Sequence, residues 1–175
     1  MSVATLLEQF AASERRVLEL YRRFAERFAA DPETARLWLE MSNVEAAHFA
    51  ILQLAADMVR TGRAGTPEPE PSASPAPTEG SLAALEGRAA GGALTAAEAV
   101  QAALTLEQEE LPRIRQILGA LPSPARGSVL GGIVQSLPAH YSCLGRLAAR
   151  GGVPEAARAA LAALEEEARR LAIPT

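Results

Sequence analysis

The lengths of the connections between helical segments constrain this fold most. Apolar residues recur at steps of three and four over about residues 3–60 and again over about 95–149, which predicts long amphipathic helices. Each stretch has one short break, at Asp31-Pro32 in the first and at Ser123-Pro124 in the second. Both pairs are typical of a helix N-cap followed by proline at the first helical position. Because the breaks are short, each stretch is predicted to fold as an antiparallel helical hairpin.

A long proline-rich tract separates the two hairpins. Residues 61–80, TGRAGTPEPEPSASPAPTEG, have no apolar face and are predicted to be extended. A short helix is predicted over 82–90, and the third long helix starts at a capping box of Thr95 and Glu98. A helix of about 28 residues is roughly 42 Å long, a distance that about 13 extended residues can cross. The crossover of about 61–94 can therefore run from one end of a bundle to the other.

These lengths predict an all-α four-helix bundle of two antiparallel hairpins joined by one long crossover, over residues 1–149. A further helix is predicted from about 154 to 172, so that 150–175 form a C-terminal helical extension. Whether this helix lies on its own bundle or on a second copy of the chain is open, and a homo-oligomer is one alternative.

Composition agrees with this architecture and excludes several functions. Apolar residues make up 49% of the chain and aromatic residues only 4%, with few β-branched side chains, which favours helices. A net charge of -4 gives no reason to expect nucleic-acid binding. No apolar run is long enough for a membrane span, and the N-terminus lacks the pattern of a signal peptide. Cys143 is the only cysteine, which excludes an intrachain disulfide. A cytoplasmic protein is expected.

Each of the four long helices has a line of apolar residues along one face, here called its seam. Five polar residues interrupt these seams, and a sixth lies at the edge of one. Those in the seams are Glu14, Glu45, His48, Glu107 and His140, and Glu110 lies one turn after Glu107. The chain has only two histidines, and both belong to this set. The halves of the chain also match, because 34 residues separate the first glutamate from the first histidine and 33 separate Glu107 from His140.

This set of residue types indicates metal ligation. Carboxylate and imidazole groups are the ligands that iron, manganese and zinc accept in proteins. Burying three or four unpaired carboxylates would cost on the order of 10 kcal/mol, which is comparable with the whole stability of a domain. No arginine interrupts these seams, and the chain contains no lysine. A divalent cation, or a pair of them, is the simplest compensation, and protonated carboxylic acids are the alternative.

The same residues carry a family resemblance. The segments FAASERRVLELYRRFA and LWLEMSNVEAAHFAILQLA, with EAAH from Glu45 to His48, resemble the rubrerythrin branch of the ferritin-like superfamily. The resemblance covers about residues 3–149 apart from the crossover. It implies iron, one or two ions, with manganese or zinc as alternatives, and reaction with oxygen or peroxide. The implied ligands are Glu14, Glu45, His48, Glu107, Glu110 and His140.

Two departures from that family bear on function. Leu137 stands where a second Glu-x-x-His motif would have its glutamate. The chain also lacks the Cys-x-x-Cys pairs of a rubredoxin domain, so electrons would come from an external donor. These departures leave two rival functions. One is a mononuclear zinc or manganese site, and the other is a bundle that has lost its chemistry and serves as a structural or protein-interaction module.

Overall fold

The computed structural model describes residues 2–63, 78–92, 94–121 and 126–172. The helices are α1 (Val3–Arg27), α2 (Pro32–Arg60), α3 (Thr78–Ala90), α4 (Ala96–Ala120), α5 (Gly131–Gly151) and α6 (Glu155–Ala172). A π-helical turn, Arg126–Leu130, leads into α5. These ranges contain six α-helices and no strand, which confirms the prediction of an all-α fold. The short helix predicted at 82–90 begins earlier, at Thr78, and the predicted cap at Ser123-Pro124 lies outside the described residues.

Local capping explains where the long helices begin and end. The Asp31 carboxylate accepts hydrogen bonds from the backbone N–H groups of Glu33 and Thr34, with Pro32 at the first helical position of α2. Thr95 and Glu98 form the predicted capping box of α4. Helix α5 ends before Gly152, whose φ of 65° is a left-handed conformation that glycine adopts without the steric cost of a side chain.

Four helices contact one another in a closed ring: α1 with α2, α2 with α5, α5 with α4, and α4 with α1. Contacts at one end of the ring fix their directions. Arg27, at the end of α1, donates to the Leu94 carbonyl just before α4. Arg150, at the end of α5, donates to Asp31 just before α2, and Gly151 lies against Ala96. Ring neighbours are therefore antiparallel, and the connection from α2 to α4 must return along the length of the bundle.

The remaining two helices cover the outside of this ring. Helix α3 contacts α1 and α4, and its Glu86 forms an ion pair with Arg16 at 2.8 Å. Helix α6 lies against α4 and α5 of the same chain and buries Leu161, Leu164 and Ala168. Of the helices in the described residues, none combines the length and the hydropathy needed to cross a membrane.

Candidate metal centre

The six polar residues singled out in the sequence converge inside the ring of helices. Glu14 comes from α1, Glu45 and His48 from α2, Glu107 and Glu110 from α4, and His140 from α5. All are buried: Glu45 and His140 have no exposed surface, and Glu110, the most accessible of them, is 7% exposed. Residues three or four apart share a face of a helix, so the apolar neighbours in each seam carry these side chains inward. The structure thus brings every predicted site residue to one place.

Four of these side chains form a first cluster, made of Glu14, Glu45, His48 and Glu110. One ligand atom from each lies within 4.8 Å of all the others. His48 Nδ1 is at the centre, 3.2 Å from Glu45 Oε2, 3.6 Å from Glu110 Oε1 and 3.9 Å from Glu14 Oε2. A cluster of this composition and spacing could hold a metal ion.

A second cluster consists of Glu45, Glu107 and His140, and it meets the same distance limit. His140 Nε2 is 2.7 Å from Glu107 Oε1 and 3.1 Å from Glu45 Oε1. Glu45 therefore belongs to both clusters, with Oε2 towards His48 and Oε1 towards His140. The two imidazole ring centroids are 6.0 Å apart. This second group could also hold a metal ion.

Ser136 fixes which nitrogen of His48 faces the carboxylates. The Ser136 hydroxyl donates to the Ile133 carbonyl at 2.8 Å and lies 2.7 Å from His48 Nε2. Since a serine hydroxyl has a single proton to donate, it accepts from His48, and Nε2 carries a hydrogen. In the neutral imidazole this leaves the lone pair on Nδ1, directed at the first cluster. Metal-binding histidines are commonly oriented by a hydrogen bond of this kind from the ring nitrogen that faces away from the metal.

Tyr21 makes the corresponding contact to the second cluster. Its hydroxyl is buried and donates to Glu107 Oε1 at 2.9 Å. In the sequence Tyr21 lies among the apolar residues of α1, where a packing role is expected, and nothing in the sequence distinguishes Ser136. The available signal for Tyr21 was its position seven residues, two helical turns, after Glu14. Ser136 carried no signal, because its role depends on contact between α2 and α5.

Burial raises the pKa of every carboxyl group in the centre. Desolvation raises the pKa of Glu14 and Glu45 well above the usual value for glutamate, and their acidic neighbours add to the rise. Burial also raises the pKa of Glu107. Burial, with the adjacent Glu107, raises the pKa of Glu110 to about 8. Burial lowers the pKa of His140 to about 4, which keeps its ring neutral at pH 7. The centre thus holds acidic protons near neutral pH that a cation would displace.

Several buried polar atoms of the centre have no hydrogen-bond partner within the described residues. They are Glu45 Oε1, Glu107 Oε2, Glu110 Oε1 and His140 Nδ1. Glu45 Oε1 is close to His140 Nε2, yet the two groups are not aligned for a hydrogen bond. Unpaired buried polar atoms are costly in a folded protein. Acceptor oxygens that converge without donors fit the chemistry of a cation site.

The two clusters differ in their number of donors. Leu137 is fully buried one turn before His140, at the position where a further carboxylate would reach the second cluster. The first cluster therefore offers four protein donors and the second offers three. An ion bound in the second cluster would have fewer ligands from the protein.

The chain was also compared with known proteins. No family model, curated protein or solved structure matches it. What can be said of its function comes from the residues and their geometry.

Proposed function

We propose that this chain is a rubrerythrin-like metal-binding protein that holds two iron ions on either side of Glu45. The observation that carries the proposal is the orientation of the Glu45 carboxylate. Its two oxygens face different histidines, His48 and His140, and each histidine belongs to a separate group of potential ligands. A carboxylate with one oxygen directed to each side is suited to bridging two cations.

Charge balance supports two ions rather than one. The two clusters together contain four carboxyl groups and two histidines. With all four glutamates ionised and both imidazoles neutral, the ligands carry four negative charges, which two divalent cations neutralise. A single divalent ion would balance only two of these charges, so the other two carboxyl groups would have to keep the protons that their raised pKa values favour.

The helix arrangement supports a ferritin-like bundle. Two hairpins whose neighbouring helices are all antiparallel require a long connection between α2 and α4, and this is the connectivity of ferritin-like folds. A Glu-x-x-His pair on α2 facing glutamates from α1 and α4 is the type of ligand set that such bundles use.

The proposed activity is iron handling or the reduction of oxygen or peroxide. Iron, when bound, supplies the electrons for such a reaction and receives them back from an external donor protein. The chain's own residues hold and orient the ligands. Ser136 fixes the His48 tautomer, and the Tyr21 hydroxyl donates a hydrogen bond to Glu107 Oε1. Apolar helix faces around the centre exclude bulk water, and Leu137 leaves the second position with fewer protein donors.

The three-donor cluster favours one alternative, a mononuclear site. If the second group of ligands is too weak to retain an ion, the four-donor cluster alone would bind zinc or manganese. That protein would have one metal per chain and no redox turnover.

Elemental analysis of the purified protein tests this proposal. We expect two iron ions per chain after anaerobic loading with Fe(II), and loss of both in Glu45→Gln, because this residue serves both positions. Glu26→Gln changes an exposed glutamate of α1 by the same atoms and should retain both ions. One ion per chain would indicate the mononuclear alternative. No metal under any loading condition would refute metal binding.

A further inference from the structure

Two large apolar side chains lie on the outside of the bundle, and both belong to α2. Leu39 is 48% exposed and Leu54 is 56% exposed, and no other large hydrophobic residue in the described ranges is exposed. The fifteen residues between their positions make about four helical turns. The two leucines therefore share the outward face of α2 and lie roughly 22 Å apart along it.

The outward face of α2 between these leucines carries no charge. From 41 to 56 its exposed positions are Asn43, Ala47, Ala50, Gln53 and Leu54. The two ionisable residues of this stretch, Glu45 and His48, are buried. The outside of α1 differs, since its exposed positions include charged side chains such as Arg15 and Glu19. An exposed, uncharged helix face with two leucines has the character of a contact surface.

Charged residues flank this face in an order that fits the same face reversed. Arg36 lies three residues before Leu39, and Asp57 lies three residues after Leu54. Consider two copies of α2 packed antiparallel about a two-fold axis at the middle of the face. Leu39 of each copy then lies level with the partner's Leu54. Arg36 of each copy lies level with the partner's Asp57, so opposite charges meet at both ends.

The contacts of these two charges within the chain leave them accessible. Arg36 pairs with Glu33 and Glu40 on its own helix, and Asp57 pairs with Arg60. All of these side chains remain at least 41% exposed. Because exposed ion pairs contribute little to stability, Arg36 and Asp57 can each accept a further contact with an opposite charge.

We propose that the outward face of α2 binds a second copy of this chain, with the two α2 helices antiparallel. A two-fold contact uses the same surface on both subunits, and this face matches itself. Leucine lies level with leucine and arginine with aspartate, while Ala47 and Ala50 near the middle let the two helices approach closely. This inference does not depend on metal binding in the bundle core.

Sedimentation equilibrium of the metal-free, full-length protein over a range of concentrations tests the contact. We expect the natural sequence to form a dimer. Ala50→Glu should raise the dimer Kd at least about tenfold, because it buries an unpaired charge against an uncharged face. Ala162→Glu makes the same change at an exposed position of α6, the helix that lies against α4 and α5, and should leave the Kd unchanged.

An exchange of charges tests the antiparallel arrangement. Arg36→Glu alone should raise the dimer Kd at least about tenfold, because each dimer would then contain two glutamate–aspartate contacts. The double variant Arg36→Glu/Asp57→Arg restores opposite charges at both ends and should recover most of the lost affinity.

Three results would overturn the proposal. They are a natural sequence that stays monomeric at every concentration, an Ala50→Glu variant that dimerises as the natural sequence does, and a double charge exchange that recovers no affinity. Circular dichroism shows whether each variant is folded. Ala50→Glu and the charge exchange test the same face independently, so either remains decisive if the other does not fold.

Discussion

Replacing Glu110 by glutamine should stabilise the metal-free protein and weaken metal binding. In the folded, metal-free protein the pKa of Glu110 is about 8 instead of 4.5, so its carboxyl group is neutral at pH 7 and ionises when the protein unfolds. Its folded-state pKa is raised, so the associated stability is complete below pH 4.5 and is lost progressively as pH rises towards 8. At roughly 1.4 kcal/mol per pKa unit, the loss at pH 7 is about 3 kcal/mol. An amide cannot ionise and does not incur this loss.

The expected result is a change in melting temperature that depends on both pH and metal. For a protein of this length, a gain of about 3 kcal/mol corresponds to a rise of roughly 6–12 °C. Metal-free Glu110→Gln should therefore melt that much higher than the natural sequence at pH 7, and the difference should vanish near pH 4.5. When a divalent metal is added, the natural sequence should have the higher melting temperature, because only it keeps all four donors of the first cluster.

Thermal unfolding followed by circular dichroism, at several pH values and with and without metal, measures these differences. Glu26→Gln is the matched control, since that side chain is exposed, and it should show neither effect. A metal-free Glu110→Gln protein that melts lower than the natural sequence at pH 7 would show that Glu110 is ionised and well paired in the folded state. The description of Glu110 as a buried carboxyl group with a raised pKa would then be wrong.

Three further outcomes are expected. Ser136→Ala should reduce metal affinity by about 10- to 100-fold in a chelator competition, whereas Ser136→Thr, which keeps the hydroxyl, should retain it; equal affinities would contradict the tautomer assigned to His48. Metal affinity should fall at least about tenfold per pH unit below pH 8, because the Glu110 carboxyl group must lose its proton before it binds a metal ion. A calorimetric titration in which metal binding releases no proton would contradict this. Asp31→Ala should lower the free energy of unfolding by about 1 kcal/mol through loss of the α2 cap without changing the number of metals bound per chain, as denaturant titration and elemental analysis would show.

Helix positions were predictable because the apolar periodicity is regular and the caps are strong. Asp31 with Pro32, and Thr95 with Glu98, mark the starts of α2 and α4 where the structure has them. Helix α3 was less predictable. Thr78 and Gly80 belong to a proline-rich tract whose composition predicts an extended chain, yet the helix starts there and contacts α1. The buried residues of this helix, Leu82 and Leu85, lie further along the chain, and the helix extends back from them into the tract.

The site was predictable for a different reason. A glutamate or histidine in an otherwise apolar helical seam is so costly that it indicates a function, and this argument identified all six residues of the two clusters. The same argument does not identify Tyr21 or Ser136, because burying a tyrosine or a serine in such a seam costs little. Their roles depend on contacts between helices, Tyr21 with Glu107 and Ser136 with His48. Sequence periodicity gives the face on which a residue lies but not its partner across the bundle.

The absence of a carboxylate at Leu137 is best understood through the charge of the whole centre. A fifth glutamate there would complete the second ligand set, but it would also give the centre five negative charges against the four positive charges of two divalent ions. With Leu137, four ionised glutamates and two divalent cations would balance, while the metal-free protein has one fewer buried acid to keep protonated. The leucine that leaves the second cluster with three donors therefore also lowers the cost of folding without metal. On this argument, the leucine is compatible with two bound ions, and its expected consequence is an unequal pair, one held by four donors and one by three.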